Sequence, residues 1–190
     1  MSANVYFRAM ACNNAWANHR LLGACSGLSP EELEAQRTSF FPTILYTLNH
    51  ILTVDWYYVS SLEGASMGYA AFDPEVPCPD IADLAREQGL IDRRLIRLLD
   101  GSSEAELCAS VELPRGKRVQ TERRDRILLH LFEHQIHHRG QVHAMLAGSR
   151  IRPPQLDEFF MAAERGLRQE DLAALGFDED VIWRDLPSAP

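Results

Sequence analysis

This chain of 190 residues is informative first through what it lacks. It has no apolar run approaching the 18 or so residues that a membrane-spanning helix needs, so a membrane protein is not expected. It has no surplus of basic charge: 19 Lys and Arg stand against 27 Asp and Glu, a formal net charge of -8. That balance disfavours a sequence-independent grip on a phosphate backbone or an anionic membrane, and nucleic acid is not an expected partner. It has no C-x-x-C pair. Cys12, Cys25, Cys78 and Cys108 are widely spaced, which excludes a zinc-thiolate knuckle or a thioredoxin-like couple and predicts free thiols. Cys12 and Cys25 fall in a helical pattern and read as small buried hydrophobes. The N-terminal stretch lacks a basic region followed by a continuous apolar segment, so no secretory signal is expected and the cytoplasm is the expected compartment.

What is present is ordinary globular composition, 46% apolar and 24% charged, in a length that suits one domain able to bury a core without disulfides. Helical periodicity and breakers predict four long helices, at 4–24, 42–62, 79–100 and 121–147. Ser29-Pro30-Glu31-Glu32 has the spacing of a capping box and predicts a short extra helical turn. Between Glu106 and Gln120 the periodicity fails. Val111 and Leu113, Pro114-Arg115-Gly116 and Val119 read as a short hairpin or an irregular crossover. Leu156–Leu167 and Glu170–Leu175 read as two shorter helices. The expected fold is all-α: a four-helix bundle over 1–150 with one long crossover, placed at 101–120, and a C-terminal helical extension over 151–190 packed on the same domain. Strand content should be near zero. Trp16, Trp56, Trp183 and the Phe159-Phe160 pair suggest apolar surface beyond what a four-helix core covers, hence a homodimer.

Five of the seven histidines lie in one stretch: His130, His134, His137, His138 and His143. At roughly 100° per residue, His134 and His138 share a sector with Ile127, Leu131, Val142 and Met145. His130 sits at its margin, and His137 and His143 lie on the flanks, as surface or interface residues. Imidazoles at i and i+4 stack on one helix face and can reach one metal ion. Burying two of them beside Leu and Val is costly unless something satisfies their nitrogens. A third ligand should come from another helix. His50, within an apolar second helix, suits that role better than His19, which lies near a helix end beside Asn18 and Arg20. Asp55 falls close to the apolar stripe of the same helix, so it should either pair with a buried Arg or stand beside the metal.

With these residues in view, the chain resembles the DinB-like family of metal-binding four-helix bundles. The resemblance rests on Trp16-Ala17-Asn18 and Arg20-Leu21-Leu22, on Leu48-Asn49-His50-Ile51-Leu52 with Asp55 and Trp56, and on His130-Leu131-Phe132, His134 and His137-His138-Arg139-Gly140-Gln141-Val142-His143. It implies one divalent metal held on three histidines with open positions, and carries His50, His134 and His138 over as ligands, in agreement with the helix geometry. Two departures stand out: Phe40-Phe41-Pro42-Thr43 replaces a small Gly-Ser pair before the second helix, and Glu133 stands where Asn is common.

Function remains open between two readings. Three neutral imidazoles leave a metal, zinc or nickel in the first instance, with a free position for water or thiolate. That favours a metal-dependent hydrolase, or a transferase acting on a small-molecule substrate with a low-molecular-weight thiol. Gln141 shares the sector of His134 and is a candidate to orient a ligand, while Arg139 reads as a surface or pairing residue. The other reading is a non-catalytic, stress-related bundle or dimerisation module with a structural or opportunistic metal. No catalytic residue is assigned: His130 and Glu133 are the nearest candidates for a general base.

Overall fold

A computed structural model describes residues 3–183. Its long helices are α1 (Ala3–Cys25), α3 (Ile44–Leu62), α4 (Ile81–Asp100) and α6 (Arg124–Ala147), with short α2 (Pro30–Glu34) and α5 (Glu104–Leu107) in the connections. The fold is predominantly all-α. Ser29 accepts from the Glu32 N–H and Glu32 reaches back to the Ser29 N–H, completing the capping box at α2. α3 starts at residue 44 because Thr43 caps it, and α4 at 81 because the Asp80 carboxylate accepts from the Ala82 and Asp83 N–H groups.

Thr121-Glu122-Arg123 is not helical. It belongs to β2 (Arg118–Arg123), antiparallel to β1 (Ser110–Arg115), with Arg115 opposite Arg118 at the turn. Of the two readings of this stretch, the hairpin is the one observed. Val111 and Leu113 alternate into the core, and Gly116 adopts φ 66 with the Tyr69 ring against it, 3.3 Å from where a Cβ would stand.

Cross-helix pairs set the helix directions. His50 meets His134 and His138 while Tyr58 meets His130, so α3 and α6 are antiparallel. Asn4 bonds Leu99 and Ser102 carbonyls while Asn18 bonds Asp92, so α1 and α4 are antiparallel too. Asp55 meets Gln88 and Glu63 meets Arg94, so α3 and α4 run parallel. The long crossover is therefore the segment 63–80, and the expectation that placed it at 101–120 is corrected. A parallel pair of helices needs a connection that returns the full helix length. Residues 101–123 instead turn α4 into α6 at one end of the bundle. The returning segment lies along α3: a 3-10 turn at Gly68–Phe72 packs Phe72 on Tyr57, and Asn49 bonds both the N–H and the carbonyl of Cys78.

One layer of the bundle is polar. Asn14 and Asn18 of α1 and Gln88 of α4 donate to the Asp92 carboxylate, and Gln88 also donates to Asp55. The Arg139 guanidinium bonds the side-chain oxygens of Asn14, Asn18 and Gln135. Every long helix contributes, and all seven side chains are buried. Burial pushes Asp55 up to about 7, with the Asp92 charge adding, and Asp92 up to about 6.

The C-terminal segment covers the outer side of α1. The expected helix at 156–167 is only a 3-10 turn, Ala162–Leu167. Phe159 is instead held against Trp16, and buried Arg168 donates to the Glu158 and Met161 carbonyls, satisfying non-helical backbone. Helices α7 (Gln169–Leu175) and α8 (Glu179–Trp183) follow. Residues 184–190 of the expected 151–190 extension lie outside the described residues.

Candidate metal centre

The α3 and α6 stripes bring His50, His134 and His138 to one place. One ligand atom from each lies within 4.8 Å of the others, and among the described residues this is the group of three or more His, Cys, Asp or Glu that converges so. The His50 and His134 Nε2 atoms are 3.0 Å apart, and the His134 and His138 rings 4.3 Å apart. His138 is buried and the other two are half-buried. Phe41 lies over the trio, 4.4 Å from the His50 ring and 5.6 Å from that of His138. Phe41, with the exposed Phe40 edge-on against its ring, thus roofs the site on one side. Tyr46 stacks on Phe41 and donates its hydroxyl to Glu75 of the crossover at 2.6 Å.

All three imidazoles are held neutral. Burial, then the neighbouring histidines, pull His134 down to about 3. Burial, with His138 beside it, pulls His50 to about 4. Burial also lowers His138, against the opposing hydrogen bond of Gln141. The Gln141 side-chain oxygen lies 2.8 Å from His138 Nδ1. As an acceptor it fixes a proton on Nδ1 and leaves the Nε2 lone pair for a ligand. Gln141 thus serves His138, one turn along from the His134 that its helical sector suggested. His134 Nδ1 is buried with no hydrogen-bond partner. Three neutral nitrogens, one oriented and two facing each other at 3.0 Å, suit one divalent ion of the kind imidazole prefers.

The other histidines lie elsewhere. His130 and His137 are exposed, the latter 3.1 Å from the Gln141 amide. His143 Nε2 is 3.0 Å from the Pro154 carbonyl and ties α6 to the C-terminal segment. His19 is exposed on α1, in a cleft shared with α4 and α7. Asp55 belongs to the buried polar layer and not to the histidine cluster. Arg139 is a buried pairing residue of that layer. Glu133 is exposed, on the outer face towards α1. Residues that sequence reasoning missed are Phe41 as a cover, Glu75 as a partner of Tyr46, and Asn14, Asn18, Gln88 and Asp92. For the last four the only local signal is a polar side chain on an otherwise apolar helix face.

Fold and cluster together define a helical bundle with a three-histidine group between two antiparallel helices. The chain belongs to the DinB family, whose profile matches residues 1–171. It is similar to the uncharacterized protein YizA of Bacillus subtilis (strain 168), with 29% identity over 132 residues, covering 68% of this chain and 79% of that one. Its fold matches a DinB-like protein from Bacillus cereus ATCC 10987 with a TM-score of 0.57 and 16% identity, over 74% of this chain and 90% of that one.

Proposed function

We propose that His50, His134 and His138 hold one divalent transition metal, zinc or nickel, and that the site is a metal-dependent enzyme centre for a small-molecule substrate. The class is hydrolysis, or group transfer to a low-molecular-weight thiol. The observation that carries the reading is the convergence of three imidazoles, all kept neutral by burial, on two facing helices. When bound, such an ion lowers the pKa of a coordinated water or thiol and makes it a nucleophile near neutral pH. The chain's own part is to keep the three nitrogens unprotonated, to orient His138 through Gln141, and to exclude water on the Phe41 side. No helix among the described residues is long and apolar enough to cross a membrane. With Cys12, Cys25, Cys78 and Cys108 all free, a reducing cytoplasmic setting fits. The exposed side chains of Tyr6, Leu129 and Ile136 on α1 and α6 offer a face for a second copy.

One observation favours the non-catalytic reading: the cluster holds no carboxylate that could serve as a general base. Elemental analysis of protein purified without a histidine tag is the first test, with near-stoichiometric metal expected. Thiol-transfer and hydrolysis assays on that material then divide the readings. Metal without turnover would leave a structural bundle, and absence of metal after reconstitution would remove both.

A further inference from the structure

The histidine trio lies at one part of the contact between α3 and α6, and the part nearer the hairpin is built differently. Tyr58 lies two helical turns beyond His50 on α3, roughly 12 Å along the axis, and His130 one turn before His134 on α6. Their rings are 5.4 Å apart, and the His130 ring is 6.3 Å from that of His134. The hairpin closes this end: Arg115 Nη2 donates to the Tyr58 hydroxyl at 3.1 Å, and its guanidinium lies 5.1 Å from the centre of the Tyr57 ring.

Arg115 is half-buried and carries no carboxylate partner among the described residues. Lys117 and Arg118 beside it are exposed and likewise have no carboxylate partner among the described residues, so the hairpin tip concentrates three cations without an ion pair in a chain of net charge -8. Arg115 and Arg118 face each other directly across the ladder, an arrangement that costs stability between like charges. A hairpin needs no such residues for its turn, since Gly116 supplies the positive φ. With one edge spent on Tyr58, the guanidinium keeps a planar donor edge that matches a carboxylate or phosphate.

We propose that Arg115, with Tyr58 and His130, forms an oxyanion-binding subsite, so that an elongated substrate lies along the α3–α6 seam with its reacting group at the histidine trio and a terminal carboxylate or phosphate at the hairpin. The subsite itself stands on the hairpin geometry. The assignment of the other end rests on the metal reading above. Lys117 and Arg118 add a steering field and do not touch the ligand.

Two measurements separate the parts. In the first, metal-free protein is titrated with hexanoate, hexyl phosphate and hexanol while the His130 ring and Arg115 Nε signals are followed by NMR. Saturable shifts at both residues are expected for one or both anions and none for hexanol. The tighter of the two anions identifies the headgroup. Arg115→Gln should weaken anion binding about tenfold or more, as loss of a charge-assisted hydrogen bond does, and Arg115→Lys should restore part of it. Shifts that are equal for hexanol and the anions, absent for all three, or unchanged in Arg115→Gln overturn the subsite.

In the second, cobalt-loaded protein is titrated with a six-carbon mercaptocarboxylate and the matching mercaptoalcohol, reading the thiolate-to-cobalt absorption. The acid should bind about tenfold better in the wild type and no better in Arg115→Gln. Equal binding in the wild type overturns the link between the two ends. Failure to load cobalt removes the metal reading, and the first titration still decides the subsite.

Discussion

A histidine pair is visible in sequence when its spacing and its neighbours agree. His134 and His138 were legible because i,i+4 places both on an apolar face, where an unsatisfied imidazole is costly. His50 followed from its apolar helix. Phe41 was legible as a bulky departure before the second helix, but its place over the trio was not, and neither was Glu75, since each reaches the site from a connection whose path no periodicity describes. Replacing His50, His134 or His138 with Ala should abolish metal retention, whereas His137→Ala and His143→Ala should keep near-stoichiometric metal in elemental analysis. His137 is exposed and His143 bonds the Pro154 carbonyl. Equal loss in all five variants would overturn the assignment. The metal-free protein should also be acid-sensitive. The folded pKa values of His50 and His134, about 4 and about 3, lie below the roughly 6.5 of an unfolded histidine. The unfolded chain therefore takes up protons first. The stability due to these groups is fully present above about pH 6.5 and is lost as pH falls towards their folded values. A His134→Leu variant should lose less thermal midpoint than the wild type between about pH 6.5 and 4.5, by at least roughly 2–4 °C. Parallel pH profiles would contradict this.

Among the elements, all four long helices were legible and their connectivity was not. Apolar periodicity and breakers are local, so helix limits followed within a few residues, and the caps at Thr43 and Asp80 account for the starts at 44 and 81 in place of 42 and 79. Direction is a long-range property. It rests on pairs such as Asp55 with Gln88 and Glu63 with Arg94, and nothing local distinguishes a crossover at 63–80 from one at 101–120. The buried polar layer escaped for the same reason, because an Asn or Asp on a helix reveals its partners only in three dimensions. Two buried carboxylates share that layer with one guanidinium, so charge balance favours a proton on one of them. Asp55 and Asp92 have folded pKa values raised above the unfolded value of about 3.9. Their contribution is therefore most favourable below about pH 4 and declines as pH rises through about 6 and 7, opposite in sign to that of the histidines. Arg139→Leu should cost about 3–5 kcal/mol in denaturant unfolding at pH 8 and distinctly less at pH 5, where the carboxyls can be neutral without it. An equal cost at both pH values would mean that the guanidinium acts by packing alone.

At the scale of the molecule, the chain itself covers part of the aromatic surface that suggested a homodimer. Trp16 is fully buried against Phe159 and donates its indole N–H to Asp171, and Arg20 stacks on its ring. Trp16→Ala should cost about 3–5 kcal/mol, as for other buried large-to-small replacements, read from denaturant midpoints. A loss under about 1 kcal/mol would show that the C-terminal segment is held independently of it. Phe160 of the expected pair stays exposed, as do Tyr6, Leu129 and Ile136.

The crossover at 63–80 also bears on how the chain reaches this structure. Because α3 and α4 are parallel, α1 packs on α4 and α6, and α3 on α4 and α6, no two consecutive long helices form a hairpin that closes locally. The pairs His50 with His134 and Asn18 with Asp92 join residues 84 and 74 positions apart. Such separations raise contact order and delay the reward for each closed loop, so folding should be slow for a helical protein and the early chain should hold exposed apolar faces until its last long helix is made. The three histidines are then assembled only at the final docking of α6, and any ion they hold reports completion of the entire bundle.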